Sequence, residues 1–115
     1  MHTATILVAD DDAVARELLA DALRQEGYAV EAFASGEEVI ARGRQGRVDL
    51  VLTDIRMGAV DGLTVLREFK RMSPDTEVVV LTAFGSLEGA IEAIKQGAYD
   101  YLAKPFKKEE IKLVV

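Results

Sequence analysis

Short apolar runs that alternate with helix-period segments predict an α/β domain built on a parallel sheet covered by helices on both faces. Three observations carry this reading. Five strand-like runs are each followed by an amphipathic stretch of helical length. One of them, Val78-Val79-Val80-Leu81, is apolar without alternation, as a strand buried on both faces must be. The residues able to do chemistry, Asp10-Asp11, Asp54, Thr82 and Lys104, all fall where a strand ends. In a parallel sheet those ends share one edge, and ligands of such folds sit outside that edge where the strand order reverses.

The first strand is read over 5–9 and runs into Asp10-Asp11-Asp12. Asp12 is a preferred N-cap for a helix over 13–26, which Gly27 ends in a left-handed conformation. A second strand over 28–33 leads to Ser35 and Glu38, a capping box for a helix over 36–45. The third strand, 49–53, delivers Asp54. Asp61-Gly62 opens a helix over 62–72 that Ser73-Pro74 closes, because proline cannot continue the ladder. The fourth strand, 77–82, ends on Thr82; a helix over 87–96 is stopped by Gly97. The fifth strand, 99–102, precedes Lys104-Pro105, where the lysine is held out of helical geometry. A final helix starts at 107 and stops after nine residues. Against a usual length of about 11–12, it reads as cut short, so that 1–115 is one domain trimmed in its fifth helix from a longer protein.

The 115 residues suit one domain with a hydrophobic core; 50% are apolar and 30% charged. There is no cysteine, which excludes disulfides, thiolate metal sites and cysteine nucleophiles. The single histidine is His2, which removes a Ser-His-Asp triad and histidine phosphotransfer from this chain. A net charge of −6 disfavours direct binding to nucleic acid or anionic membrane. No leader-like segment and no apolar run near ~18 residues is present, so a cytoplasmic location is expected.

Three carboxylates brought together are unfavourable unless a cation neutralises them, and a small set of oxygen ligands describes magnesium or another small divalent cation. The ordinary use of aspartate before a helix is as a cap. That use suits Asp12; it does not account for Asp10 and Asp11, given Asp54, Thr82 and Lys104 at matching strand ends. Taken singly, Thr82 and Tyr101 are ordinary strand residues and Lys104 an ordinary surface lysine.

Together these residues resemble the receiver domains of two-component response regulators, over the whole chain. The likeness rests on Asp10-Asp11, Asp54 followed by Met57 and Asp61-Gly62, Leu81-Thr82-Ala83, Tyr101 and Lys104-Pro105-Phe106. The stretches Asp54-Ile55-Arg56-Met57, Leu81 to Ser86 and Gly97 to Leu102 look most like the nitrogen-regulatory (NtrC-type) subfamily. The resemblance implies a flavodoxin-like, three-layer fold with five strands in the order 2-1-3-4-5. It implies phosphorylation of Asp54 by a sensor histidine kinase. Magnesium would be held by Asp10, Asp11, Asp54 and the backbone carbonyl of Arg56. Lys104 and Thr82 would contact phosphoryl oxygens, with the Ala83 amide helping, and Tyr101 would couple the site to the face made by the fourth helix, fifth strand and fifth helix. That face would also serve a homodimer. An output domain, an ATPase with a DNA-binding module in that subfamily, would follow. One departure stands out: Gly58 replaces the usual proline after the methionine, and Val60 a second common methionine, which loosens the loop expected to supply the carbonyl ligand.

Two other functions share parts of this pattern. A phosphohydrolase with an aspartate nucleophile typically has a second aspartate two residues on, where this chain has Arg56. A flavin-binding module of similar topology wants small hydroxyl-bearing residues after the first strand, where this chain has carboxylates that repel a phosphate.

Overall fold

The computed structural model describes residues 4–57, 60–82 and 87–103. The order of elements is β1 (Thr5–Ala9), α1 (Ala13–Gln25), β2 (Ala29–Phe33), α2 (Gly36–Gly43), β3 (Leu50–Asp54), α3 (Gly62–Met72), β4 (Glu77–Thr82), α4 (Leu87–Lys95) and β5 (Asp100–Ala103). The strands form one parallel sheet in the order β2-β1-β3-β4-β5. The expected fifth helix, with Lys104 and Pro105 before it, lies outside the described residues, as do Gly58 and Ala83.

Local chemistry explains where the helices begin and end. Asp12 accepts the Val14 and Ala15 amides, Asp61 accepts the Thr64 amide, and Ser35 accepts the Glu38 amide at 3.2 Å. The Ser35 hydroxyl donates to the Glu38 carboxylate at 3.0 Å, so the box closes side chain to side chain. Gly27 and Gly97 take φ of 97° and 108°. Behind each, a bond spanning five residues (Tyr28 to Leu23, Ala98 to Ala93) closes the last turn, the pattern that favours glycine at this position.

Element ends differ from the sequence expectation by one or two residues. α2 stops at Gly43 rather than at 45, where a glycine gives little support to a continuing helix. β5 runs over 100–103 rather than 99–102. β3 extends through Asp54, which still pairs with Leu81, so the aspartate is the last residue of the strand rather than the first of the loop.

Two cores flank the sheet. Leu7, Val51, Val78 and Val80 pack with Val39, Val65, Leu66 and Phe69 of α2 and α3 and with Ala93 of α4. Ile6, Val8, Leu52, Val79 and Leu81 pack on the other face with Leu19 and Leu23 of α1. The alternation along β1, β3 and β4 is the two-residue period of a strand read from both sides. Residues 78–81 are fully buried, as their unbroken apolar run requires.

The register of β1 and β3 decides what meets at the far edge. At the amino end, the Asp49 carboxylate accepts the Thr5 amide at 2.8 Å while the Asp49 amide donates to the Thr5 carbonyl at 3.0 Å. Register then runs from Ile6 opposite Leu50 to Ala9 opposite Thr53, so the next residues, Asp10 and Asp54, emerge side by side. This is also where strand order reverses, since β2 lies on one side of β1 and β3 on the other.

Candidate functional site

Asp10, Asp11 and Asp54 bring one carboxylate oxygen each to within 4.8 Å of one another. Asp10 is fully buried, Asp54 half-buried and Asp11 exposed, so the cluster has a protein floor and opens to solvent on the Asp11 side. At such separations each like-charge pair repels by about 1 kcal/mol in a water-like medium and about 4 kcal/mol near a protein surface. The arrangement must therefore be held by other bonds.

Those bonds come from the turns themselves. Asp10 Oδ1 accepts the Asp12 amide at 3.0 Å, and the Asp10 amide donates to the Phe33 carbonyl at 3.1 Å. Asp54 Oδ1 accepts the Arg56 amide at 3.1 Å, which orients the carboxylate and bends the chain after β3. The Thr53 hydroxyl, buried beneath, donates to the Asp54 carbonyl at 3.1 Å.

Arg16 is a contributor that the sequence reading passed over. Its Nη1 donates to the Asp10 carbonyl at 2.9 Å, tying the first turns of α1 back to the β1 end. A cation near a helix N-terminus opposes the helix dipole, so an arginine four residues after the cap is itself a sign of a local partner. Gly62, read from the sequence only as opening the third helix and as part of the receiver pattern, also approaches the cluster directly. Its amide donates to the Ile55 carbonyl at 2.8 Å, and a Cβ there would stand 2.8 Å from Ile55 Cα and collide with the Asp54 carbonyl. Gly62→Ala is thus expected to destabilise the fold by about 1–3 kcal/mol in urea unfolding, although alanine is the better helix former. An unchanged midpoint would show that the loop yields freely.

Thr82 is buried at the end of β4, one residue beyond the Leu81 that pairs with Asp54. Tyr101 pairs with Val80, two residues before Thr82, so Thr82 and Tyr101 belong to the same face of the sheet. Tyr101 is 39% exposed. Arg56 is exposed, directly after the carboxylate turn. Lys104 lies outside the described residues.

Two concavities, of about 320 and 630 Å³, open at the opposite, amino-terminal edge of the sheet. Neither contains a member of the carboxylate cluster. An all-oxygen donor set of three carboxylates fits a small hard cation, and suits magnesium because few of the ligands come from protein.

Among the described residues, no helix is long and apolar enough to cross a membrane. Comparison with known proteins agrees with the architecture. Residues 6–115 match the family model of the response regulator receiver domain. The transcriptional regulatory protein ZraR of Salmonella typhimurium is 45% identical over 100 residues, covering 87% of this chain and 23% of its own. The DNA-binding transcriptional regulator NtrC of the same organism is 39% identical over 110 residues, covering 96% and 24%. The chain thus spans about a quarter of the length of these relatives. The crystal structure of the receiver domain of NtrX from Brucella abortus superposes with a TM-score of 0.90 at 36% identity, over 95% of this chain and 92% of that one. With a five-stranded 2-1-3-4-5 sheet, a carboxylate cluster at its switch point and this match over nearly its whole length, the chain belongs to the receiver domains of two-component response regulators, with relatives of the NtrC type.

Proposed function

We propose that this domain accepts a phosphoryl group on Asp54 from the phosphohistidine of a sensor kinase and passes the resulting change of state to an output domain. The observation that carries the reading is the convergence of Asp10, Asp11 and Asp54 at one solvent-open point of the sheet edge. Asp10, Asp11, Asp54 and the carbonyl of Arg56 would hold the divalent cation. When bound, magnesium neutralises carboxylate and phosphoryl charge so that two anions can approach.

The rest falls to the chain's own groups. An Asp54 carboxylate oxygen forms the new O–P bond as the N–P bond of the donor breaks, and the electron pair leaves on the imidazole. A carboxylate needs no general base, consistent with a chain whose one histidine is His2. The Arg56 amide holds the nucleophile's other oxygen in place. Lys104 supplies a compact positive charge to one phosphoryl oxygen and the Thr82 hydroxyl a hydrogen bond to another. The work is positioning and charge neutralisation rather than proton transfer.

Two exposed apolar surfaces support the partners this reading needs. Val14 and Leu18, one turn apart on α1, are 79% and 60% exposed beside the cluster and suit contact with the phosphodonor protein. Ile91 and Ile94 on α4 are exposed together with Tyr101, on the face proposed to meet the output domain or a second copy. The relatives are about four times as long as this chain and one is a DNA-binding transcriptional regulator, which supports a DNA-binding output; the ATPase is what the NtrC-type resemblance implies. A cytoplasmic location follows from the same reading.

The direct test is incubation with magnesium and a small phosphodonor, followed by peptide mass spectrometry. Phosphate on Asp54 supports the reading; phosphate elsewhere, or none, overturns it. Thr82→Ala tests the switch. It is expected to accept phosphate at Asp54, since the nucleophile and the carboxylates remain, yet to show less than about half of the wild-type amide-exchange change in α4. A full response in α4 would route the coupling through other residues.

A further inference from the structure

The junction between β2 and α2 touches both of the loops that carry the carboxylates. On one side the Phe33 carbonyl accepts the Asp10 amide at 3.1 Å. On the other, buried Gly36 lies against Val60 in the connection that follows Asp54. A Cβ at Gly36 would stand 2.6 Å from the Val60 carbonyl oxygen and 2.7 Å from Val60 Cγ1. Both values are below the 3.0 Å that real Cβ contacts respect, so one partner has to move.

The helix is the stiffer partner. Ser35 caps α2 immediately before Gly36, and Val39 and Ile40 are buried one turn further on. The connection after Asp54 is tied at Ile55, which bonds Gly62, and at Asp61, which caps α3. Between those ties, Val60 lies against the helix at Gly36. A methyl group at Gly36 therefore pushes the connection and leaves the helix where it is. The push acts on the same short connection that contains Arg56, whose amide holds Asp54.

We infer that Gly36 is a positioning residue: by packing backbone to backbone on Val60, it sets the distance of the connection after Asp54 from the carboxylates and so tunes which divalent cation the cluster prefers. The inference rests on the cation-site reading of the cluster. Its chemistry is that of ion size. Magnesium demands near-octahedral oxygens at about 2.0–2.1 Å, while calcium tolerates about 2.3–2.6 Å and irregular geometry. A displaced connection penalises the strict ion first. General loss of structure would weaken both ions alike.

The test is calorimetric titration with magnesium chloride and, separately, calcium chloride, on wild type, Gly36→Ala and Gly46→Ala. Gly46 is the matched control, because a Cβ there meets nothing within 4 Å. Gly36→Ala is expected to weaken magnesium binding about five- to tenfold and calcium binding less than about twofold, and Gly46→Ala to change neither. Adding Val60→Ala to Gly36→Ala removes one of the two close contacts and should restore part of the magnesium preference. An unchanged magnesium-to-calcium ratio in Gly36→Ala overturns the inference. Should Gly36→Ala lose its far-UV helix signal, Val60→Leu presses the same contact from the loop side, and an unchanged ratio there overturns it equally. A wild type that binds neither ion refutes the cation site and the inference with it, whereas a binding wild type with an indifferent Gly36→Ala overturns the inference alone.

Discussion

Asp54→Asn is expected to fold as wild type does and to take up no phosphate from a small donor or a kinase. The amide matches the carboxylate in shape and can still accept the Arg56 amide at its carbonyl oxygen, so the turn after β3 keeps its bond. What is lost, on the proposed reading, is the nucleophile. Removing one of three clustered negative charges also relieves repulsion, so metal-free Asp54→Asn should unfold at a temperature no lower than wild type. Labelling followed by intact-mass measurement reads the first effect and thermal unfolding the second. Phosphate uptake at the wild-type level would remove Asp54 from the mechanism.

Asp11→Asn has a comparably large expected effect on the metal. Asp11 is exposed, so the fold should be indifferent. In the proposed cation site it is a direct charged ligand and matters more than the outer-sphere groups, whose loss alone typically costs about 10–100-fold, so magnesium affinity should fall by at least about tenfold. The sign of the stability change separates this from simple damage. Without metal the variant should be as stable as wild type or more so, because a repulsion is gone; with excess magnesium, wild type should gain stability and the variant little. Wild-type magnesium affinity in Asp11→Asn would take this residue out of the ligand set.

Much of this architecture could be read from the chain because its signals are local. Asp12, Ser35 and Asp61 cap their helices through bonds to amides two or three residues on, and Gly27 and Gly97 end theirs with positive φ; both patterns are written in consecutive residues. Convergence of Asp10 and Asp54 followed once strands of equal length were laid in parallel. What sequence could not supply were contacts between segments distant in the chain that have no period. Gly62 beneath Asp54 and Gly36 against Val60 are backbone approaches whose only trace is a missing side chain, and turns and caps leave the same trace. Arg16 reaches back six residues to a carbonyl, outside the three- and four-residue spacings that mark helix-surface pairs. The strand read over 49–53 stops one residue short of Asp54, and aspartate is a poor strand former. Its pairing with Leu81 overrode that local preference.

The fully buried run in β4 has a consequence for how the chain must be made. Val78-Val79-Val80-Leu81 combines high strand propensity with no charge and no proline, the composition of segments that stack between molecules into fibrils. In the folded sheet it is silenced on both sides, by β3 and by β5. Parallel neighbours are never joined by a tight hairpin, so each partner must be recruited across a helical crossover, a slow route. During synthesis β3 is already available when β4 emerges, but β5 follows only after α4. Until then one edge of the most adhesive strand is open. Glu77 at the strand's start and Asp75 two residues earlier put two charges ahead of the run, the position that gatekeeper residues take. Truncation between Thr82 and Asp100 would leave that edge permanently bare and is expected to yield an aggregating peptide.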